Sequence, residues 1–171
     1  MASPTARLPD RFADLDHEAH VCSSLDLARE AAERGDGPYG SLLVRADDGA
    51  VVMEERNAIN TADDVRRHPE LTLAYRAARE FSPEQRRDLI MYTSTEPCPM
   101  CAGGIAQVEL GAVVHSTAAE RAADLYGRDT CLPSAEVYDR RGSDVAVGGP
   151  VLPEAGDAVH REVGDADGAD G

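Results

Sequence analysis

Thr95-Glu96-Pro97-Cys98-Pro99-Met100-Cys101 is the stretch from which this chain can be read, together with His68-Pro69-Glu70 upstream. As a pattern they are H-x-E followed by P-C-x-x-C, which puts one imidazole, two thiols and one carboxylate into two short clusters. Zinc takes thiolate sulfur and imidazole nitrogen in tetrahedral sites, and a catalytic zinc keeps one position for water. Pro69 and Pro99 each suit the first position of a helix, where the missing N–H would have no partner anyway. Leu71, Ala74, Ala77, Ala78 and Phe81 continue the first helix, and Ile105 and Val108 the second. Cys98 and Cys101 then sit at a helix N-terminus, which favours thiolate. A strand-length apolar run, Leu89 to Ser94, separates the two helices. They can pack side by side with their N-termini at one end, which gathers His68, Cys98 and Cys101 as ligands. Glu70, in the same first turn as His68, can take a proton from a bound water.

Three other readings stand beside this one. The CxxC pair suits a thioredoxin-like redox site, which leaves His68 and Glu70 without a role. A structural zinc needs a fourth Cys or His, and His115, in an expected strand, is the candidate. Chance spacing is the third, and it weakens once H-x-E is counted with CxxC.

Outward from the motif, strands and helices alternate. Asp16 to Arg34 has helical spacing and stops at Gly35. Tyr39–Val44 and Val51–Glu54 read as strands joined by the hairpin signal Asp47-Asp48-Gly49. Residues 57–64 form a polar loop that leads into His68. After Gly111 come a strand at 112–115, a helix around Ala118–Leu125, a stretch broken by Gly and Pro, and an edge strand at 144–147. Such alternation calls for a sheet with helices on its faces. Residues 1–13 read as a loose lead-in, 14–163 as a single domain, and 164–171 as a disordered acidic tail. His17 and His20 read as surface histidines, and Cys22 and Cys131 as small buried hydrophobes.

The formal net charge is −15, and all 17 basic residues are arginine. That balance disfavours a polyanionic partner, because nucleic-acid binding draws on a basic patch. It also fits the acidic surface of a protein from a high-salt cytoplasm. No apolar run approaches the length of a membrane span, and no secretory signal is visible, so a cytoplasmic location is expected.

HPE, TEPCPMCAGGI, GPYGSLLV and ERNAINTADDVRRHPE together resemble the cytidine/deoxycytidylate deaminase superfamily, nearest its branch of cytosine, guanine and tRNA-adenosine deaminases. The resemblance covers roughly residues 16–126. It implies an α/β fold, three-layer α/β/α with a central mixed five-stranded sheet, zinc on His68, Cys98 and Cys101, and Glu70 as the catalytic proton shuttle. Asn57 matches an asparagine that contacts base or ribose, and Tyr39 lies in a strand entry like that of base deaminases. Groups around Cys98 would hold the ring edge. Pro69 departs from the alanine more often found there. The expected substrate is a free nucleobase or nucleoside, of guanine or cytosine type. The alternative is a tRNA wobble adenosine deaminase with Arg66, Arg67, Arg86, Arg87, Arg140 and Arg141 as its cationic rim. A zinc-stabilised module without activity is a third possibility, which retention of Glu70 argues against. Relatives of this kind are commonly homodimers.

Overall fold

A computed structural model describes residues 3–5 and 7–168. Five strands form one sheet in the order β2-β1-β3-β4-β5. They are β1 (Gly40–Arg45), β2 (Val51–Arg56), β3 (Leu89–Thr95), β4 (Ala112–Thr117) and β5 (Ala146–Gly148). β1 is antiparallel to β2 and β3, whereas β3, β4 and β5 run parallel. The mixed five-stranded sheet that the family resemblance implies is therefore present.

Central strands buried on both faces read as continuous apolar runs, because consecutive side chains point to opposite sides. Leu42, Ile90 and Val114 face a cluster with Val21, Leu25 and Ala28 of α1 (His17–Glu33) and Val159 of α7 (Pro153–Gly168). Leu43, Met91 and Val113 face the other cluster. It holds Leu73 and Ala77 of α2 (Pro69–Glu80), Ile105 of α4 (Pro99–Val108) and Tyr138 of α6 (Ser134–Arg141). The short α3 (Pro83–Arg87) and α5 (Ala119–Leu125) lie in connections. The result is three layers, α/β/α. Gly40 permits the closest approach of sheet and helix, since a Cβ there would lie 2.5 Å from Ala28 N.

The end regions depart from expectation. The lead-in is tied down: Asp10–Phe12 form a single 3-10 turn, and Phe12 is fully buried against the α1 face. The start of α1 is where it is expected: Asp16 is the N-cap, its carboxylate accepting from Ala19 N at 3.0 Å. α6 falls in the stretch expected to be broken by Gly and Pro, and α7 follows the edge strand where no helix is expected. α7 runs to Gly168, into the stretch 164–171 expected to be disordered; residues 169–171 lie outside those described. No helix among the described residues is long and apolar enough to cross a membrane.

Candidate active site

Sheet polarity gathers the site. Because β1 opposes β2 and β3 while β4 follows β3, the start of β1 and the ends of β2, β3 and β4 share one edge. Tyr39 precedes β1, Asn57 follows β2, and Thr95 ends β3. At the same edge, His68 and Cys98 are the N-cap residues of α2 and α4, and neither side chain caps its helix. Both remain free for another partner.

A ring nitrogen of His68, Cys98 Sγ and Cys101 Sγ lie within 4.8 Å of one another, and Cys98 Sγ is 3.8 Å from His68 Nδ1. Zn–N and Zn–S bonds at tetrahedral angles put ligand atoms roughly 3.5–3.8 Å apart. The electrostatics agree with a cation. A hydrogen bond from Cys101, and the neighbouring His68, bring the Cys98 thiol down to about 4, so its sulfur is a thiolate. Cys101 is pushed up, because it donates to that sulfur and is buried. The bond with Cys98 raises His68 in turn. A metal ion would relieve this competition for one proton, so the three residues fit zinc. His115 does not join them: it is buried on β4 with Nε2 3.8 Å from Glu96.

Glu70, in the first turn of α2, is 4% exposed. Its Oε2 is 3.7 Å from Cys101 Sγ and its Oε1 is 3.3 Å from Thr93 Oγ1, which Ser41 Oγ in turn supports at 2.8 Å. Burial pushes the carboxyl up to about 7, with the Cys98 thiolate adding to the effect. A carboxyl poised near neutrality can both accept and release a proton.

A cavity of about 720 Å³ opens over these groups. Tyr39, Asn57, His68, Glu70, Thr95 and Cys98 line it on one side, and Arg128, Thr130, Cys131 and Leu132 on the other. Asn57 is 1% exposed. Its Oδ1 accepts from Ile59 N at 3.1 Å and its N–H donates to Tyr39 O at 2.9 Å, while Nδ2 makes no hydrogen bond among the described residues. The loop that carries it is braced by Asp36, which accepts from Asn60 N (2.9 Å), Thr61 N (3.0 Å) and Thr61 Oγ1 (2.7 Å).

Five of the six residues expected at the site, Tyr39, Asn57, His68, Glu70 and Cys98, thus line one cavity, and the sixth, Cys101, is buried beside them with its sulfur within 4.8 Å of the His68 and Cys98 donor atoms. Several readings elsewhere need correction. Cys131 is exposed on the cavity wall, and Cys22 is exposed on α1, so neither is a core residue. Cys22 falls outside the face of α1 that Val21, Leu25 and Ala28 bury. His17 and His20 are half-buried against Tyr92, His17 Nδ1 lying 2.8 Å from its hydroxyl and the His20 ring stacking at 4.8 Å. Glu96, inside the motif, has a role that the sequence does not announce. Its carboxylate accepts from Ser134 N and Oγ, both at 2.7 Å, and from Ala119 N at 2.8 Å. A lone carboxylate beside Pro97 carries no sequence sign of partners 23 and 38 residues away.

The chain is similar to known deaminases. The chain is 36% identical over 115 residues to the guanine deaminase of Bacillus subtilis, covering 64% of this chain and 72% of that protein. It is 28% identical over 117 residues to a tRNA-specific adenosine deaminase of Agrobacterium fabrum, covering 65% and 76%. A guanine deaminase structure from Nitrosomonas europaea superposes with a TM-score of 0.76 over 92% of this chain and 94% of that one, at 17% identity, and so shares the fold. The match to the model of the MafB19-like deaminases runs from residue 15 to 129, through both motif clusters and Asn57. A chain that carries H-x-E and P-C-x-x-C at one cavity edge, within that match, belongs to the MafB19-like deaminase family and is a hydrolytic deaminase acting on C–N bonds.

Proposed function

We propose that the protein deaminates a free nucleobase or nucleoside of guanine type, replacing a ring C–NH2 with C=O and releasing ammonia, with zinc held by His68, Cys98 and Cys101. The observation that carries the reading is the buried Glu70 carboxyl beside these three donors, at the inner end of a cavity whose size suits a small molecule. When bound, zinc would supply Lewis acidity that makes a water nucleophilic near pH 7. Glu70 accepts the proton that the attacking water loses and passes it to the ring nitrogen; it then takes the proton of the new hydroxyl on the ring carbon and passes it to the amine, which leaves as ammonia as C=O forms. Thr93 Oγ1 lies 3.3 Å from one Glu70 oxygen, and the other lies beside Cys101 Sγ, on the side of the proposed zinc ligands. Asn57 Nδ2 offers donors to the ring edge or ribose, Tyr39 forms a side of the slot, and the backbone at Cys98 borders the attacked carbon.

The small-molecule reading is favoured over tRNA by the cations. Among the described residues, none of the six arginines expected as a basic rim lines the cavity. Arg66 is paired with Asp64 at 2.8 Å, Arg87 with Glu109 at 2.6 Å and Arg140 with Glu136 at 3.7 Å. Arg86 donates to the Val108 and Phe81 carbonyls and Arg141 to Gln107. The identity to a guanine deaminase points the same way. Exposed Tyr75 and Met100, on the packed helices α2 and α4, support the expected homodimer, which light scattering on the eluting protein would measure.

The test is ammonia release from the zinc-loaded protein with guanine, guanosine, cytosine, cytidine and adenosine. Turnover of guanine or guanosine is expected. No turnover of any of them, together with inosine formation at the wobble position of an incubated tRNA, would replace this reading with the tRNA one.

A further inference from the structure

Residues beyond 129 lie outside the family match, yet they build much of one cavity wall. Residues 129–132 make no hydrogen bond among the described residues, so the wall depends on what holds its two ends. At the far end, Ser134 is tied to Glu96. At the near end stands Tyr126, and its hydroxyl is 2.8 Å from Nδ1 of His160 on α7. The other ring nitrogen, Nε2, is 2.8 Å from Thr95 Oγ1 at the end of β3.

His160 is 5% exposed, and burial lowers its affinity for a second proton, with Asp157 opposing. A neutral imidazole has one N–H and one lone pair, so it orders both hydroxyls, accepting from one and donating to the other. Its ring is also 5.7 Å from that of Tyr39 and 5.5 Å, edge-on, from that of Tyr126, over which the Arg128 guanidinium sits at 5.3 Å. Thr95, Tyr39 and Arg128 all line the cavity. One side chain from the C-terminal helix thus touches both sides of the slot from behind.

We propose that His160 is the positioning residue of the cavity wall: by bridging Thr95 and Tyr126 it holds residues 126–132 in place, and so sets substrate affinity without touching the reacting atoms. The part concerning affinity rests on the cavity being the substrate's. A merely structural histidine would be replaceable by any side chain of similar bulk. Here the two nitrogens have separate tasks, and only the Nδ1 side reaches the wall.

The experiment compares wild type, His160→Ala, His160→Asn, His160→Gln and Tyr126→Phe by amide hydrogen exchange and by steady-state kinetics. The base used is whichever the wild type deaminates. Tyr126 is 41% exposed, so removal of its hydroxyl leaves folding intact. Exchange at the amides of Tyr126, Gly127 and Arg128, which donate to the Ala122, Asp124 and Ala123 carbonyls, is expected to quicken about tenfold in His160→Ala and Tyr126→Phe, the factor equivalent to one hydrogen bond of about 1.4 kcal/mol. KM should rise by a similar factor while kcat stays within about threefold. Asn keeps a polar atom at the Nδ1 position and should restore protection; Gln keeps the Nε2 position, facing Thr95, and should not. Unchanged exchange in both His160→Ala and Tyr126→Phe overturns the proposal, as does a loss confined to kcat. If the wild type deaminates none of the bases, the guanine reading falls, and the exchange arm, which needs no substrate, still decides the anchoring.

Discussion

Replacing Glu96 with Gln changes one carboxylate oxygen to an amide nitrogen and little else. The native carboxylate, with its side chain 7% exposed, holds the first N–H of α5 through one oxygen and the N–H and hydroxyl of Ser134, at the start of α6, through the other. In Glu96→Gln an NH2 must face one of these donors. The best arrangement keeps the amide oxygen on Ser134 and sets the NH2 against Ala119 N–H. One charge-assisted bond worth about 1.5–3 kcal/mol is then lost, and the two at Ser134 fall to neutral bonds of about 1 kcal/mol each. A total near 3 kcal/mol is expected, which for a chain of this size lowers the melting temperature by roughly 6–12 °C. Urea denaturation and calorimetry of the zinc-loaded protein measure it. Zinc content should be unchanged, because Glu96 is not among the proposed ligands, whereas KM should rise as the wall between α5 and α6 loosens. A loss of stability below about 0.5 kcal/mol, the range of an ordinary surface substitution, would refute the reasoning.

Glu70→Gln should retain zinc and lower kcat by about 10²–10⁴, the worth of a positioned acid–base group; activity within tenfold of wild type would remove Glu70 from the shuttle role. Cys101→Ala takes away a buried ligand and should abolish tightly held zinc by elemental analysis, and prolonged chelation of the wild type should reproduce its loss of ammonia release until zinc is returned. Asp36→Asn tests the brace under Asn57 through its pH dependence. Burial alone would raise the Asp36 carboxyl, but hydrogen bonds from Thr61 and Asn60 outweigh it and hold the group below its ordinary value. Its stabilisation is therefore complete above pH about 4 and drains away as the pH falls through the folded value. The gap in melting temperature between wild type and Asp36→Asn should be constant from pH 5 to 7 and close toward pH 2; a gap that widens on acidification would contradict the assignment.

The motif was legible because its residues act within a turn or two of one another. Pro69 and Pro99 mark helix starts by local sterics alone, and H-x-E and C-x-x-C place their donors at those starts. The strand-length apolar runs at Leu42–Val44 and Leu89–Tyr92 alternate with helical segments, which is why a sheet covered by helices could be anticipated, and these strands are indeed buried. The C-terminal third was opaque for the opposite reason. α7 contains Gly156, Asp157, Gly164 and Asp165, its apolar positions are sparse, and its stability comes from packing on α1 and β4 rather than from propensity. The burial of Phe12 in the lead-in is likewise a contact with distant strands.

What the sequence determined by itself is the chemistry: which atoms can hold a metal, which carboxyl can carry a proton, and that each of the two clusters opens a helix. What only the tertiary structure decided is the company these groups keep. Sheet polarity brings Tyr39, Asn57 and Thr95 to one edge, and chain closure sets Glu96 under Ser134 and His160 between Thr95 and Tyr126. Those pairings join residues 34 to 65 positions apart, and no local propensity records them, because their partners are fixed only when the whole sheet and its flanking helices have packed.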